Sequence, residues 1–220
     1  PPACEIVALR QGRRWLQTSL PHLLPSVVDP AKGFRRHGVY LFAGGFSEVG
    51  LALAGELAAK YAARLVLVSR LTLPPAQEWQ RLGQGWGEAA VRRAIAAIGR
   101  LEEAGAEVLH IRADVTDFEQ MSAAVTAASQ RFGGLDGVFH CAGALDDGLL
   151  TSKTLEGMQR VLAPKVTGAR VLGAVLATVP LDFLILFSST STDVPRAGQV
   201  DYVAANAYLK PALKRPNLTL

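Results

Sequence analysis

Short, mainly apolar runs recur along the chain, and longer segments with helical spacing separate them. The runs lie at 38–43, 64–69, 106–111, 135–141 and 181–187. Runs of this length are typical of buried strands, and their alternation with helical segments is typical of parallel strands joined by helices. The pattern therefore predicts an α/β fold, in which a doubly wound parallel sheet carries helices on both faces.

The first 36 residues follow a different pattern. Residues 4–18 alternate apolar and polar positions on either side of Gln11-Gly12, which predicts a β-hairpin. A linker is predicted after it by three prolines, Pro21, Pro25 and Pro30.

An insertion at 71–100 follows the second predicted strand and leads into an alanine-rich helix that continues to Glu103. Trp79 and Trp86 are seven residues apart and therefore share a helical face, so we expect them to pack rather than to bind a ligand.

The composition indicates a globular intracellular protein. The chain has 220 residues, half of them hydrophobic (50%), which can fill a sizeable core. Its longest apolar runs are too short to span a membrane, and no charged-then-apolar leader opens it, so we expect a cytoplasmic protein without a membrane contact. Cys4 and Cys141 make no disulfide framework and no metal cluster, and we expect Cys141 to be a small buried thiol.

The net charge of +4 does not predict a nucleic-acid ligand, because the basic residues are scattered and no aromatic residues are interleaved with them. A solvated surface explains them. A basic face would also suit an acidic protein partner, since opposite potentials speed and orient weak encounters.

Four polar residues form a candidate proton-transfer group. Tyr202 lies 13 residues after Ser189 and four before Asn206, so the phenol and the amide share one helical face. A phenol can act as a general acid at neutral pH if a cation and a hydrogen-bond donor stabilise the phenolate. Lys165 and Ser189 have the required chemistry.

Several further motifs accompany this group in a fixed order. They are Tyr40-Leu41-Phe42-Ala43-Gly44-Gly45, Leu65-Val66-Leu67-Val68-Ser69-Arg70, Asp114-Val115-Thr116-Asp117, His140-Cys141-Ala142-Gly143, Leu145-Asp146-Asp147, Leu162-Ala163-Pro164-Lys165-Val166 and Leu186-Phe187-Ser188-Ser189. Together with Tyr-x-x-x-Asn they resemble the ketoreductase domains of modular polyketide synthases, within the short-chain dehydrogenase/reductase superfamily. Most members of that superfamily carry Tyr-x-x-x-Lys, and here lysine and asparagine have exchanged places.

The resemblance implies a Rossmann-like fold and a division of the chain. Residues 1–36 resemble the C-terminal part of a degenerate structural subdomain with its linker, and residues 37–220 the catalytic subdomain. We expect the helix of Tyr202 to end before Pro211. The later parts of the family, its lid helices and last strand, are not recognisable before Leu220, so the catalytic subdomain is predicted to be incomplete at its C-terminus.

The resemblance also implies a reaction and a partner. NADPH would reduce the β-carbon of a 3-oxoacyl thioester carried by an acyl carrier protein among neighbouring synthase domains. Tyr202 would donate the proton and Ser189 would hydrogen-bond the ketone oxygen. Lys165 would favour the phenolate and hold the cofactor ribose, and Asn206 would orient a lysine or a water that restores the proton.

The glycine loop departs from the family pattern Thr-Gly-Gly-x-Gly-Gly-x-Gly. The predicted cofactor contacts in it are Gly44, Gly45, Phe46, Ser47 and Gly50. Ala43, Ser47 and Glu48 replace the threonine and two glycines. Ser47 is tolerable if its backbone angles are ordinary, whereas Glu48 would oppose a pyrophosphate if it faces one and would be harmless if it points to solvent.

Other cofactor positions match the family. Ser69-Arg70 ends the second strand where an NAD enzyme carries an acidic residue, and a hydroxyl with a cation suits a 2′-phosphate, which favours NADPH. The resemblance assigns adenine contacts to Asp114 and Val115. Two further cofactor positions are the small residues at the nicotinamide ribose, Ala142 and Gly143.

Leu145, Asp146 and Asp147 resemble the family signature for substrate entry from one side, which implies a D-configured (3R) product. Val194 stands where the opposite class carries tryptophan, and Ala204 is not the proline associated with reduction of epimerised substrates. The departures at Ala43, Ser47 and Glu48 keep a second interpretation open: a redox-inactive domain that epimerises a 2-substituent or serves as a scaffold.

Overall fold

The computed structural model describes residues 7–16, 18, 20–21, 33–79 and 88–212, without the side chains of the last two. The chain divides into two compact units, Pro1–Gly33 and Phe34–Leu220. In the first unit, β1 (Val7–Arg10) pairs antiparallel with β2 (Arg13–Leu16). Gln11 and Gly12 between them have φ of 51° and 72°, the two positive values that a type I′ hairpin turn requires. The predicted hairpin is confirmed over these residues, and Cys4, Pro25 and Pro30 lie outside the described part.

The second unit contains a five-stranded parallel sheet. Its strands are β3 (Val39–Ala43), β4 (Arg64–Ser69), β5 (Glu107–Arg112), β6 (Gly137–His140) and β7 (Phe183–Leu186). Their order in the sheet is β5-β4-β3-β6-β7, with β3 at the centre. The order reverses between β3 and β6, and doubly wound sheets bind ligands at such a switch point, beyond the carboxyl ends of the strands.

Helices connect the strands. They are α1 (Glu48–Tyr61), α2 (Ala89–Glu103), α3 (Phe118–Phe132), α4 (Leu155–Val175) and α5 (Val200–Ala212). Polar side chains begin three of them, because an N-cap oxygen accepts one of the N–H groups that have no partner in the first turn. Ser47 caps α1, Asp117 caps α3 and Thr154 caps α4.

All five residues of β3 are buried, because both faces of the sheet are covered. Leu41 packs in a cluster with Met121 of α3 and Leu172 of α4, whereas Phe42 packs in a second cluster with Leu57 of α1 and Ile98 of α2. Successive side chains of the strand point to opposite faces of the sheet, so they contribute to two cores, one on each face. This arrangement confirms the predicted doubly wound α/β fold with helices on both faces.

Two expectations outside the sheet have mixed outcomes. Trp79 packs against the core cluster that contains Phe42, and its indole N–H donates to the carbonyl of Pro74 at 2.9 Å, while Trp86 lies outside the described residues. The prediction that Pro211 ends α5 early is wrong, since the helix continues to Ala212. In the last turn a proline removes one hydrogen bond and little helix follows it, so its cost is small there. Within the described part of the chain, no helix has the length and apolar content needed to cross a membrane.

Candidate active site

A cleft of about 920 Å³ opens at the carboxyl edge of the sheet. Residues that directly follow all five of its strands line this cleft, from Gly44 after β3 to Phe187 after β7. The predicted site residues that line it are Gly44, Phe46, Ser47, Ser69, Arg70, Asp114, Val115, Ala142, Gly143, Leu145, Asp146, Lys165 and Tyr202. Five other predicted residues do not line it: Gly45, Gly50, Asp147, Ser189 and Asn206.

The turn after β3 requires its first two glycines. Gly44 has φ of 85°, and a Cβ there would lie 2.6 Å from Cα of Ala142. A Cβ on Gly45 would lie 2.8 Å from Cβ of Leu67 on the neighbouring strand. Both glycines therefore let the turn pack closely against β4 and against the segment after β6.

The departures in this loop are accommodated where α1 begins. Ser47 has φ of −69° and ψ of 153°, ordinary for any residue, and its hydroxyl accepts the N–H of Gly50 at 3.2 Å. A Cβ on Gly50 would lie 2.9 Å from that hydroxyl oxygen, so Gly50 makes room for the serine cap. Glu48 is exposed at the rim of the cleft.

Three main-chain N–H groups at this turn form no hydrogen bond to any other described residue. They belong to Phe46, Glu48 and Val49, which all line the cleft. Unbonded N–H groups at the start of a helix, together with the helix dipole, favour an anion such as a phosphate. The substitutions at Ser47 and Glu48 therefore leave these three N–H groups without a partner among the described residues.

The outer part of the cleft lies beyond β4 and β5. Ser69 Oγ accepts the N–H of Leu71 at 3.2 Å and lies 3.1 Å from Nε2 of His110. Burial lowers the pKa of His110, whose ring packs 5.3 Å from that of Phe46. Arg70 is exposed, and its guanidinium forms no hydrogen bond or ion pair with the other described residues. A hydroxyl and a cation without a described partner thus lie together at the end of β4.

Asp114 follows β5 and is fixed by its own turn. Its Oδ1 accepts from the N–H of Thr116 at 2.9 Å and from the hydroxyl of Thr116 at 2.7 Å. Val115 is buried in the core cluster that includes α3 and α4. The pair is therefore held rigidly at the edge of the cleft.

Lys165 projects from α4 into the centre of the site. It is only 5% exposed, and its ammonium donates to the carbonyl oxygen of Phe187 at 2.5 Å. A Cβ on Gly143 would lie 3.4 Å from Cε of Lys165, which is ordinary van der Waals contact, so the segment after β6 passes directly beside the lysine stem. Burial lowers the pKa of Lys165, which makes its proton easier to transfer.

Cys141 lies beside this lysine and is a free thiol. Burial raises its pKa to about 11, and the opposing effects of Lys165 and Ser47 are smaller. The thiol is therefore protonated at neutral pH and is a poor nucleophile.

Tyr202 lies in the first turn of α5 and lines the cleft, whereas Asn206 is fully buried one turn later. The Nδ2 of Asn206 donates to the main-chain carbonyl of Tyr202 at 2.8 Å. Its Oδ1 has no hydrogen-bond partner among the described residues, although it is buried. A buried amide oxygen of this kind is available to a lysine ammonium or a water.

The two serines after β7 have different surroundings. Ser188 lines the cleft, and its hydroxyl donates to the carbonyl of Asn206 at 3.1 Å. Ser189 caps the short helical turn Thr190–Thr192, and its Oγ accepts from Ser191. The structure thus places Ser188 nearer to the open cleft than the predicted Ser189.

A buried histidine contacts the main chain of α4 next to Lys165. His140 ends β6, is 0% exposed, and its Nε2 lies 2.9 Å from the carbonyl oxygen of Pro164. Since a carbonyl only accepts, Nε2 carries the proton and Nδ1, which has no partner among the described residues, is bare. Burial and then the charge of Lys165 lower the pKa of His140 to about 4.

Sequence reasoning missed two charged residues beside the site. Lys153 and Asp201 form an ion pair at 2.7 Å, and their side chains are 4% and 1% exposed. Asp201 directly precedes Tyr202, so a charged residue at the start of a largely apolar helix was a usable signal. Nothing in the sequence singles out Lys153, which lies 48 residues earlier.

Comparison with known proteins agrees with this architecture. A family model described as the KR domain matches residues 38–215. The 6-methylsalicylic acid synthase of Aspergillus terreus is 39% identical over 190 residues, which cover 85% of this chain and 10% of that protein. A phenolphthiocerol/phthiocerol polyketide synthase protein of Mycobacterium tuberculosis is 37% identical over 194 residues, covering 86% of this chain and 10% of that protein.

A solved structure is also similar. It is the ketoreductase domain from the bacillaene assembly line, with a TM-score of 0.73 and 32% identity, covering 92% of this chain and 44% of that chain. The present chain spans about a tenth of the length of the two synthases. It belongs to the KR domain family, the ketoreductase domains of polyketide synthases.

Proposed function

We propose that this chain reduces a 3-oxoacyl thioester, carried by an acyl carrier protein, to the D-(3R)-hydroxyacyl thioester with NADPH. The observation that carries the proposal is the cleft that joins the glycine turn at Gly44 to Lys165 and Tyr202. An anion-binding turn at one end and a proton donor with a neighbouring cation at the other are what a nicotinamide-dependent ketone reduction requires.

The residues of the cleft fit a dinucleotide. The unbonded N–H groups of Phe46, Glu48 and Val49 would hold the pyrophosphate. Arg70 and Ser69 would bind a 2′-phosphate, because no carboxylate follows β4 to favour the ribose hydroxyl of NAD. The remaining proposed contacts are Gly44, Gly45, Ser47, Gly50, Asp114, Val115, Ala142 and Gly143. The cofactor, when bound, supplies the hydride.

The protein's own residues would donate a proton to the ketone oxygen and then restore it. Tyr202 gives its phenolic proton to the ketone oxygen, and Ser189 donates a hydrogen bond to the same oxygen. Lys165 stabilises the phenolate by its charge. Asn206 offers its buried Oδ1 to the ammonium or to a water that returns the proton to Tyr202.

The sequence around the cleft supports the stereochemical part of the proposal. Leu145 and Asp146 line the cleft and Asp147 follows them, which supports a role for this motif in orienting the substrate arm. Val194 replaces the tryptophan of the opposite class, and Ala204 replaces the proline associated with reduction of epimerised substrates, so we propose that the configuration of any 2-substituent is retained. The net charge of +4 suits an acidic carrier protein, and neighbouring synthase domains are the further partners that we propose.

The test measures NADPH binding by fluorescence, ketone-dependent NADPH oxidation, and the configuration of the alcohol. We expect the unmodified protein to bind NADPH and to give the (3R) alcohol from a 3-oxoacyl thioester of a small thiol. Tyr202→Phe should lower turnover by about a hundredfold or more, because it removes the general acid. Tyr208→Phe, on the same helix outside the cleft, is the matched control.

Absence of NADPH binding by the folded protein would overturn the reductase proposal and leave epimerisation or a scaffold role. A Tyr202→Phe variant that keeps more than about a tenth of turnover would overturn the role of the phenol.

A further inference from the structure

A buried ion pair lies between α5, which carries Tyr202, and the residues after β6 that line the cleft at Leu145 and Asp146. Lys153 Nζ lies 2.8 Å and 2.7 Å from the two carboxylate oxygens of Asp201. The side chains are 4% and 1% exposed, so the pair is almost completely removed from solvent. Burying two charges costs much of what their attraction returns, so such a pair contributes little to stability in comparison with apolar residues. Its position suggests a different use.

Lys153 also bonds the loop formed by residues 145–148, which we call the substrate loop. The same ammonium donates to the main-chain carbonyl of Asp146, at the centre of that loop. Asp146 lines the cleft beside Leu145, so the contact fixes the backbone at the place where a substrate would pass. One ammonium therefore joins the substrate loop to Asp201.

Asp201 is in turn hydrogen-bonded to the main chain of Tyr202. Its Oδ1 accepts the main-chain N–H of Tyr202 at 2.9 Å, in the first turn of α5. Burial acts to raise the pKa of Asp201, but hydrogen bonds from Lys153 and Tyr202 outweigh it and hold the pKa below its ordinary value. The carboxylate therefore stays ionised and keeps both donors.

Two further contacts join the same two segments. The N–H of Gly148 donates to the carbonyl of Gly198 at 3.0 Å, and Nε2 of Gln199 donates to Oδ2 of Asp147 at 2.8 Å. Gly198 has φ of 87°, and a Cβ there would lie 3.4 Å from the backbone of Gly148. Asp147 and Gly148 of the substrate loop are thus attached to the residues that lead into α5.

We propose that Lys153 is a positioning residue, which through Asp201 fixes the substrate loop relative to Tyr202 and so sets the orientation in which the ketone meets the proton donor. This inference rests on the proposed ketone reduction. Of these three contacts, the one from Lys153 holds the main chain of Asp146, which lines the cleft, whereas the other two hold the side chain of Asp147 and the main chain of Gly148, which do not line it.

The experiment separates positioning from stability. Lys153→Met alone leaves a buried unpaired carboxylate, so it is expected to destabilise the fold. The double variant Lys153→Met/Asp201→Asn removes both charges and keeps an acceptor for the N–H of Tyr202, but lacks the bond to Asp146. Lys60→Met is the control, because Lys60 forms an exposed ion pair with Glu56 on α1, away from the cleft.

The double variant should unfold at a denaturant concentration close to that of the unmodified protein. We expect its kcat to fall about tenfold or more, because a small misplacement of reacting groups costs that much, with little change in NADPH affinity. The share of the minor alcohol isomer should rise. Without any cofactor, amide hydrogen exchange in the substrate loop should accelerate in the double variant and not in Lys60→Met.

A folded double variant with unchanged kcat, isomer ratio and exchange would overturn the positioning role. If the unmodified protein reduces no ketone, the proposed function fails, and the cofactor-free exchange comparison still decides whether Lys153 holds the loop. If amide hydrogen exchange in the substrate loop is as slow in the double variant as in the unmodified protein, the inference is overturned even when no ketone is reduced.

Discussion

The hydroxyl oxygen of Ser189 accepts two hydrogen bonds from Ser191, at 3.1 Å from its main-chain nitrogen and 2.9 Å from its hydroxyl. A hydroxyl has two acceptor sites and one donor, so these bonds leave the hydrogen of Ser189 available to a ketone oxygen. Ser188 differs, because its hydrogen is already donated to the carbonyl of Asn206. The serine that lines the cleft is therefore not the one with a free donor.

This difference predicts unequal effects of two neighbouring substitutions. Ser189→Ala should lower kcat by about a hundredfold, the usual cost of one donor to a developing oxyanion. Ser188→Ala should mainly cost about 1 kcal/mol of stability through its lost hydrogen bond, with a far smaller loss of turnover. Steady-state kinetics and urea unfolding of both variants measure the two effects. A larger kinetic loss in Ser188→Ala would transfer the donor role to Ser188.

The second prediction is that Arg70 makes the protein prefer NADPH to NADH. The unmodified protein should bind NADPH more tightly than NADH, since an exposed guanidinium with no partner among the described residues lies at the end of β4. Arg70→Ala should narrow the difference by about 1–3 kcal/mol, the range for a charge-assisted contact. Fluorescence titration with both cofactors measures it, and Arg100→Ala, exposed on α2, is the matched control. Equal affinities in the unmodified protein would remove Arg70 from the site.

The strands were predictable because buried strands appear in the sequence as short apolar runs. β3 is buried at all five positions and therefore appears as the uninterrupted apolar run at 39–43. The hairpin was predictable for a local reason too, since Gln11-Gly12 supplies the turn. The family motifs also identified Gly44, Lys165 and Tyr202, which line one cleft because each lies at or opposite the carboxyl end of a strand.

Features that depend on long-range pairing were not predictable. Lys153 and Asp201 are 48 residues apart, and only the folded chain shows that they share a buried contact with the substrate loop. The orientation of the two serines depends on a bond from Ser188 to Asn206, 18 residues away, and on bonds from Ser191 to Ser189, none of which the spacing from Tyr202 shows. Likewise, Pro164 lies inside α4, and no local feature of the sequence shows that a proline is tolerated there.

Glu48 allows a charge-specific test of the altered glycine loop. Its side chain is exposed at the cleft rim, so we expect Glu48→Gln to change NADPH affinity by less than about threefold, well under the 2 kcal/mol that a partly buried charge at a helix start can exert. The same titration with Glu56→Gln, exposed on the middle of α1, controls for net charge. NADPH binding that becomes tenfold tighter in Glu48→Gln alone would show that the carboxylate opposes the phosphates.

The buried His140 predicts how stability depends on pH. Burial lowers its pKa from 6.5 to about 4, and the bare Nδ1 has no acceptor for a second proton among the described residues. Between these values the unfolded chain binds a proton that the folded protein does not, so stability falls as the pH drops from 6.5 to about 4. A shift of this size corresponds to about 3 kcal/mol.

Replacing the ring isolates this effect from the other groups that titrate in acid. His140→Phe removes the titrating group, so the loss of unfolding free energy between pH 7 and pH 4 should be smaller than in the unmodified protein by about 3 kcal/mol. Urea unfolding of both proteins at a series of pH values measures the two slopes. The comparison uses the slopes because the larger ring also changes packing beside Gly168, where a Cβ would lie 3.5 Å from the imidazole. Parallel slopes would mean that His140 takes up a proton in the folded protein as readily as in the unfolded chain, against the burial and the lysine charge that surround it.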